Sequence, residues 1–141
     1  MSAMPKALIA HVDGAARGNP GPAGMGIVLQ DRDGNVLKEV AEPLGVTTNN
    51  VAEYQALLHG LRFALARGAS SVEVFSDSEL LVRQLEGRYR VKNAGLVPLH
   101  REAQSLLARF AKARVAHVPR EKNRDADALA KVADSLAVPD A

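Results

Sequence analysis

The sequence contains no cysteine and no tryptophan, and only 4% of its 141 residues are aromatic. Without cysteine the chain forms no disulfide, no thiolate zinc site and no iron–sulfur cluster, and it has no cysteine nucleophile. An excess of one charge is missing too, because 18 Lys and Arg face 16 Asp and Glu, a formal net charge of +2 at pH 7. The net charge alone therefore argues only weakly for a polyanionic partner.

Long apolar runs are also lacking. None approaches the ~18 residues that span a bilayer, and the apolar stretch Ala7 to Ala10 ends at His11 and Asp13. We therefore expect a cytosolic protein with no membrane partner. With 47% hydrophobic residues, residues 1–141 are expected to form a single domain with a core from about 6 to 137 and a frayed tail at 138–141.

The hydrophobic period of the chain changes from two to 3.6 near residue 50. Strands are predicted at residues 6–12, 24–31, 35–42, 71–77 and 113–119, and helices at 50–67, 79–87, from Pro98 to Phe110, and at 124–137. The first strand is followed by a Gly/Pro-rich loop, and an Asp-Gly signal predicts a hairpin before the third. Three hairpin strands, then helices alternating with strands, predict an α/β fold with a mixed sheet.

Four of the 16 acidic residues lie where solvated charges are not expected. Asp13 and Asp77 end apolar strands, whereas Glu53 and Asp127 lie in the first turns of helices beside their apolar faces. Carboxylates at such positions in an α/β sheet can converge on one crevice. Because clustered carboxylates repel one another, they need a cation, and hard oxygen ligands suit Mg²⁺ or Mn²⁺.

Each acid also has an ordinary structural interpretation. Asp13 precedes a glycine and could be a turn residue, and Glu53 has capping-box spacing after its helix start. Asp77 could cap the next helix, and Asp127 could be an acid favoured by the helix dipole, a role that Asp125 could fill equally well. The residues alone leave these alternatives open and favour a metal site only weakly.

The segments around these acids resemble type 1 ribonuclease H in four separate blocks. The blocks are VDGAARGNPGPAG around Asp13, TTNNVAEYQAL around Glu53, FSDSELLVRQL around Asp77 and REKNRDADALA around Asp127. They follow the family's order and spacing from about residue 6 to 136. The resemblance implies a five-stranded mixed sheet, three antiparallel strands plus two parallel, flanked by helices.

The resemblance also implies a monomeric endonuclease that hydrolyses the RNA strand of RNA/DNA hybrids. By the family's motif, the catalytic and metal-binding residues are Asp13, Glu53, Asp77 and Asp127, which decides against Asp125. In-line attack of water on a phosphodiester needs two cations about 3.5–4 Å apart, here Mg²⁺ or Mn²⁺. The products are expected to carry 5′-phosphate and 3′-hydroxyl ends. Activity on double-stranded RNA as well, and a non-catalytic hybrid-binding module, are the alternatives.

Short polar or flexible residues near the acids are expected to contact the hybrid. These substrate-binding candidates are Gly14, Arg17, Asn19, Thr48, Asn49, Asn50 and Ser78. The glycine-rich loop at 14–24 is expected to let the backbone approach the RNA strand closely. Helix capping, which needs only one polar residue, is the alternative for the group before Glu53.

The sequence departs from the family's pattern in a basic segment. Many members carry a Trp-rich basic insertion that grips the DNA strand, whereas this chain has only residues 87–98 there. The basic residues in and before this segment are Arg83, Arg88, Arg90 and Lys92. With one acid they give residues 83–92 a net charge of +3, which suits phosphate contacts and equally a solvated surface.

A second departure concerns histidine. Larger members place a mobile His before the last Asp, where it assists proton transfer and product release. His117 lies ten residues before Asp127 but inside the apolar run VAHVP, so a structural strand histidine is the favoured interpretation. Arg120 and Lys122, in the loop that follows, are alternative contacts for substrate or product phosphate.

Overall fold

The computed structural model of the chain describes residues 6–137, so residues 1–5 and the expected frayed tail at 138–141 lie outside the described residues. The elements are β1 (Ala7–Ala16), β2 (Gly21–Asp31), β3 (Val36–Thr47), α1 (Asn49–Ala66), β4 (Ser71–Ser76), α2 (Glu79–Leu85), α3 (Val97–Leu107), β5 (Lys112–His117) and α4 (Arg124–Leu136). An additional 3₁₀ turn, Arg120–Lys122, precedes α4. Within the described range, no helix is long and apolar enough to cross a membrane.

The five strands form one mixed sheet in the order β3-β2-β1-β4-β5. The β1–β2 and β2–β3 pairs are antiparallel, and the β1–β4 and β4–β5 pairs are parallel. This arrangement confirms the predicted three antiparallel and two parallel strands. β1, the central strand, therefore has a neighbour on each side over its first half.

The main core lies between the sheet and α1. Alternate β1 residues Leu8, Ala10 and Val12 are buried there, as the period of two requires. They meet the apolar face of α1, including Leu57 and Leu61. α3 packs beside α1 on this face of the sheet, and α4 packs on the other face, against β2 and β3.

α4 approaches β2 closely because both surfaces are made of small residues. A Cβ at Gly26 would lie 2.1 Å from the carbonyl oxygen of Ala126, and one at Gly24 would lie 2.4 Å from the amide nitrogen of Asp134. The buried face of α4 consists largely of alanine, as at Ala130. The backbones of helix and strand are therefore almost in contact, which fixes the height of α4 above the sheet.

The strands are longer than predicted. β1 continues through Asp13 to Ala16 and pairs with β2, which begins at Gly21, so the glycine-rich loop shrinks to residues 17–20. Glycine and alanine are extended here because the hairpin ladder continues across them, with Asp13 opposite Gly26. Asp13 therefore does not end its strand. β3 likewise extends five residues beyond its predicted end, to Thr47.

Candidate active site

Three carboxylates converge where β1, β4 and α1 meet. Asp13 lies within β1 and is 3% exposed, Glu53 lies in α1 and is 5% exposed, and Asp77 follows the last residue of β4. One ligand oxygen from each lies within 4.8 Å of the others. The sheet topology explains this convergence, because the carboxyl ends of the parallel strands β1 and β4 lie at the same edge.

Gly14 allows α1 to bring Glu53 to Asp13. A Cβ at Gly14 would lie 2.2 Å from the carbonyl carbon of Ala52 and 2.3 Å from the amide nitrogen of Glu53. Any side chain at this position would push the helix away from β1. The smallness of Gly14 thus serves packing inside the protein, in addition to any approach to RNA.

Asp127, in α4, is the fourth acid and lies beside Asp13. The interaction of its side chain with the Asp13 carboxyl group raises the pKa of Asp13. The Asp127 side chain is 17% exposed, and its Oδ2 lies 3.1 Å from Nζ of Lys131. Asp125 is exposed on another side of the helix. The structure therefore separates the two acids that helical spacing could not distinguish.

The cluster is electrostatically unfavourable for ionised carboxylates. Burial raises the pKa of Asp13 far above its usual range, and repulsion from Glu53 and Asp77 raises it further. Burial and Asp77 also raise the pKa of Glu53, which the backbone N–H of Gly14 partly offsets. Glu53 Oε2 is buried without a hydrogen-bond partner in the described part of the chain. A cation among these oxygens would neutralise the repulsion between the carboxylates and give the buried Glu53 oxygen a partner.

The donor set suits a hard divalent cation. The ligand atoms are carboxylate oxygens, and they lie near a shallow pocket of about 200 Å³. The pocket is lined by Asn49, Glu53, Asp77, Ser78 and Arg120. Mg²⁺ and Mn²⁺ take oxygen ligands and keep open positions for water and a phosphate oxygen. The site therefore has room for a substrate group beside the carboxylates.

Two of the polar residues predicted to contact the substrate cap the helices α1 and α2. Thr48 is the N-cap of α1, its hydroxyl accepting the Val51 N–H at 3.2 Å, and Ser78 caps α2 in the same manner. The capping interpretations of Glu53 and Asp77 are therefore wrong. α1 begins at Asn49, so Glu53 lies in its second turn rather than its first. Asn50, next in the helix, is exposed.

Arg17 and Asn19 hold the β1–β2 turn to two helices. Arg17 Nε lies 2.8 Å from Oδ1 of Asp134, a buried acid in α4, and Asn19 Oδ1 accepts the N–H of Asn49 at 3.1 Å. Asp134 was not among the residues predicted from the sequence. Its signal is the seven-residue spacing from Asp127, which places both on one side of α4. Arg17 and Asn19, which were predicted to contact the substrate, therefore also have structural roles, because they join the β1–β2 turn to α4 and α1.

The basic segment forms an exposed loop. Residues 86–96 separate α2 from α3 and contain no helix, so the larger insertion is absent as expected. Arg83 lies 2.8 Å from the Glu86 carboxylate, and Arg88 lies 4.0 Å from it. Arg90 and Lys92 are exposed. The loop borders an open pocket of about 500 Å³ that includes Arg88 and Arg90.

His117 and Arg120 lie near the end of β5, and Arg120 is the nearer to the carboxylates. His117 is the last residue of β5, as a strand interpretation predicts, but it is exposed rather than packed. Arg120 Nε lies 3.9 Å from Asp77 Oδ2 and lines the carboxylate pocket. Lys122, two residues on, lines a different pocket with His11 and Asp125. Position therefore favours Arg120 as the cation next to the cluster.

Solved structures with this architecture define the class. The N-terminal RNase H domain of Rv2228c from Mycobacterium tuberculosis superposes with a TM-score of 0.91, at 42% identity over 94% of this chain and 96% of that one. RNase H1 from the archaeon Halobacterium salinarum gives 0.89, at 40% identity over 93% and 99%. LC11-RNase H1 in complex with an RNA/DNA hybrid gives 0.87, at 42% identity over 94% and 99%. The fold is that of ribonuclease H.

Sequence comparison narrows this class to a family. Residues 11–133 match the family model described as reverse transcriptase-like. The ribonuclease HI of Halobacterium salinarum is 42% identical over 124 residues, 88% of this chain and 62% of that protein. The bifunctional protein Rv2228c of Mycobacterium tuberculosis is 44% identical over 87% of this chain and 34% of its own length. The chain belongs to this family, among the compact type 1 ribonucleases H. It spans about one third of the length of Rv2228c and about three fifths of the length of the Halobacterium protein.

Proposed function

We propose that this protein is a divalent-metal-dependent endoribonuclease that hydrolyses the RNA strand of RNA/DNA hybrids. The observation that carries the proposal is the buried cluster of Asp13, Glu53 and Asp77, with Asp127 beside it. Such a concentration of negative charge opposes binding of a polyanion unless cations are held there. The similarity to an RNase H1 that was solved with an RNA/DNA hybrid supports the choice of substrate.

The four carboxylates would hold the cations, and this chain's own residues divide the remaining tasks. When bound, Mg²⁺ or Mn²⁺ supplies charge neutralisation at the phosphate and an acidified water. Asp13 interacts with Glu53, Asp77 and Asp127, so it would hold a cation together with these other acids. Arg120, on the rim of the pocket, can contact a phosphate oxygen that approaches Asp77.

Substrate contacts are proposed from the lining of the pocket. Asn49 and Ser78 lie in it beside the carboxylates and present polar groups to a sugar or phosphate. Thr48 and Asn50 flank Asn49 at the start of α1, and the Arg17–Asn19 turn lies next to them. Contacts with 2′-hydroxyl groups on one strand would give selectivity for a hybrid.

The finer features stay predictions. They include two ions in the active complex, 5′-phosphate and 3′-hydroxyl products, a monomer, a cytosolic location and a single domain over residues 1–141. Activity on double-stranded RNA, and hybrid binding without catalysis, are the two alternatives. The acids disfavour the second alternative, because a pure phosphate binder gains nothing from them.

A cleavage assay with matched duplexes tests the proposal. The purified protein is mixed with an RNA/DNA hybrid, an RNA duplex and a DNA duplex of one sequence, each labelled on either strand, in Mg²⁺ or Mn²⁺. We expect internal cuts in the RNA strand of the hybrid, and product ends that a 3′-hydroxyl-dependent polymerase extends. Equal cutting of the RNA duplex would support the first alternative. Tight hybrid binding with no cutting in either metal would support the second.

A further inference from the structure

β1 loses one of its strand neighbours just before it reaches the carboxylate cluster. The parallel ladder with β4 runs from Ala7 to His11 and ends there, whereas the ladder with β2 continues to Ala16. Asp13 therefore lies on a stretch of β1 that has a strand on one side only. Such a stretch needs another hydrogen-bond partner if the position of Asp13 is to be fixed.

Asn123 supplies that partner. It directly precedes α4, is 2% exposed, and its side-chain Nδ2 donates to the carbonyl oxygen of Val12 at 2.9 Å. This carbonyl belongs to the peptide bond that joins Val12 to Asp13. The main-chain carbonyl of Asn123 accepts the N–H of Asp127 at 3.0 Å. A single residue therefore bonds to the strand that carries Asp13 and to the helical turn that carries Asp127.

Helix capping does not explain the Asn123 side chain. Asn123 occupies the N-cap position of α4, yet its side chain makes no capping hydrogen bond to the first turn. Its Oδ1 is buried without a hydrogen-bond partner in the described residues. An asparagine that served as a cap would place this oxygen on the free N–H groups of the helix. Its side-chain hydrogen bond is instead directed at β1.

We infer that Asn123 is a positioning residue, which fixes the distance between Asp13 and Asp127 and so sets the affinity of the carboxylates for a divalent cation. This inference rests on the proposed function. Residues that orient metal ligands commonly change metal affinity or activity by about 10–100-fold when they are replaced. The hydrogen bond from Asn123 to Val12 has that role although Asn123 itself is not among the carboxylates.

The test compares Asn123→Ala with the wild type and with Asn93→Ala. Asn93 is a suitable control because its side chain also bonds to the backbone, to the Gly95 N–H at 2.7 Å, but in an exposed loop. Mn²⁺ binding is measured by calorimetry on the full chain, hybrid binding in EDTA, and single-turnover cleavage as a function of Mn²⁺. Thermal unfolding establishes that each variant is folded.

We expect Asn123→Ala to bind Mn²⁺ about 10-fold more weakly, and to cleave more slowly, while its hybrid affinity in EDTA stays within about two-fold of the wild type. Asn123→Ser keeps a capping group but is too short to reach Val12, so it should behave like alanine and serves if the alanine variant does not fold. Asn93→Ala should bind Mn²⁺ normally.

Two results would overturn the inference, and they differ in what else they overturn. A folded Asn123 variant with wild-type Mn²⁺ affinity contradicts the positioning role and leaves the proposed function intact. A wild-type protein that binds no Mn²⁺ contradicts the proposed function and the inference together.

Discussion

At the scale of single residues, Asp13 is a proposed metal ligand whose carboxyl group destabilises the metal-free folded protein. It is buried next to Glu53, and burial and repulsion together raise its pKa. The unfolded chain releases the Asp13 proton above the ordinary pKa of 3.8, whereas the metal-free folded protein retains it. The folded state therefore binds more protons, and this group destabilises it increasingly as the pH rises from about 4 towards the raised pKa of Asp13, about 10.

Asp13→Asn should for this reason stabilise the metal-free protein. We expect the free energy of unfolding near pH 8 to rise by about 1–3 kcal/mol, because the variant loses a buried acid and keeps a similar shape. The gain should shrink as the pH falls to about 4. Urea unfolding in EDTA at several pH values measures it.

Asp31→Asn is the control, because its effect on the free energy of unfolding should have the opposite sign. The pKa of Asp31 is lowered by hydrogen bonds from Asn35, so its stabilisation is present at neutral pH and is lost as the pH falls. An Asp13→Asn stability curve parallel to that of the wild type would contradict the account of the cluster.

Arg120 and His117 give a second comparison of single residues. Arg120 faces Asp77, whereas His117 is exposed at the end of β5. We expect Arg120→Gln to slow single-turnover cleavage by about 10-fold or more, the loss of roughly one charge-assisted contact. His117→Gln should stay within about two-fold of the wild type. If His117→Gln slowed cleavage more than Arg120→Gln did, His117 rather than Arg120 would be the functional side chain.

At the scale of elements, the position of α4 decides where Asp127 lies. Gly26 in β2 is in backbone contact with α4, and a Cβ would lie 2.1 Å from Ala126 O and 2.6 Å from Ala130 N. We expect Gly26→Ala to lower the free energy of unfolding by about 3 kcal/mol, the upper range of overpacking costs. It should also weaken Mn²⁺ binding, because α4 moves away from the sheet.

Gly95→Ala provides the control for this prediction. The nearest atom to a Cβ at Gly95 is the Asn93 side-chain oxygen at 3.1 Å, in a loop rather than a helix–sheet contact. Its stability in urea and its Mn²⁺ affinity should stay close to those of the wild type. A Gly26→Ala protein as stable as Gly95→Ala would show that α4 does not depend on this contact.

The elements with a regular hydrophobic period were predictable from the sequence, and the wrongly predicted boundaries have physical reasons. The long helix α1 was predicted within one residue at each end, because its apolar period is regular and Gly68 ends it with a φ of +78°. The end of β1 was not, since Gly14 and its small neighbours look like a loop and become extended only through pairing with β2. Local sequence does not contain that pairing.

The site was predictable in part. Asp13 and Asp77 come after apolar strand residues, a local signal, whereas the choice of Asp127 over Asp125 depended on the family resemblance. The roles of Asn123 and Asp134 depend on contacts with residues more than 100 positions away. The seven-residue spacing from Asp127 indicates the side of α4 on which Asp134 lies, but no local pattern identifies the distant partner of either residue.

At the scale of the whole molecule, the balanced charge conceals an uneven distribution. The carboxylates converge at one edge of the sheet, while basic residues collect in the loop between α2 and α3. The cap of α2, Ser78, lines the carboxylate pocket, and the seven-residue helix is about 10 Å long. Its far end therefore presents the basic loop at a distance that the same nucleic acid can reach.

Neutralising Arg88, Arg90 and Lys92 together should weaken hybrid binding in a salt-dependent way. Each lost phosphate contact lowers the slope of log affinity against log salt by about 0.9 for duplex DNA, so we expect a decrease of about 1–3. Glutamine at Arg32, Arg109 and Lys112 makes the same change in net charge away from this loop and should leave the slope nearly unchanged. Equal slopes in both triple variants would mean that the loop makes no phosphate contact.

The most direct measurement of the central claim is the initial rate of RNA-strand cleavage in an RNA/DNA hybrid by the wild type and by Asp77→Asn, in Mg²⁺ and in EDTA. Asp77 is chosen because it is less buried than Asp13 or Glu53, so its replacement perturbs folding least. We predict rapid cleavage by the wild type in Mg²⁺, none in EDTA, and a loss of about 10³-fold or more in Asp77→Asn, roughly 4 kcal/mol of transition-state stabilisation. Wild-type cleavage that survives EDTA, or an Asp77→Asn protein that cleaves at nearly the wild-type rate, would contradict a metal-dependent carboxylate centre.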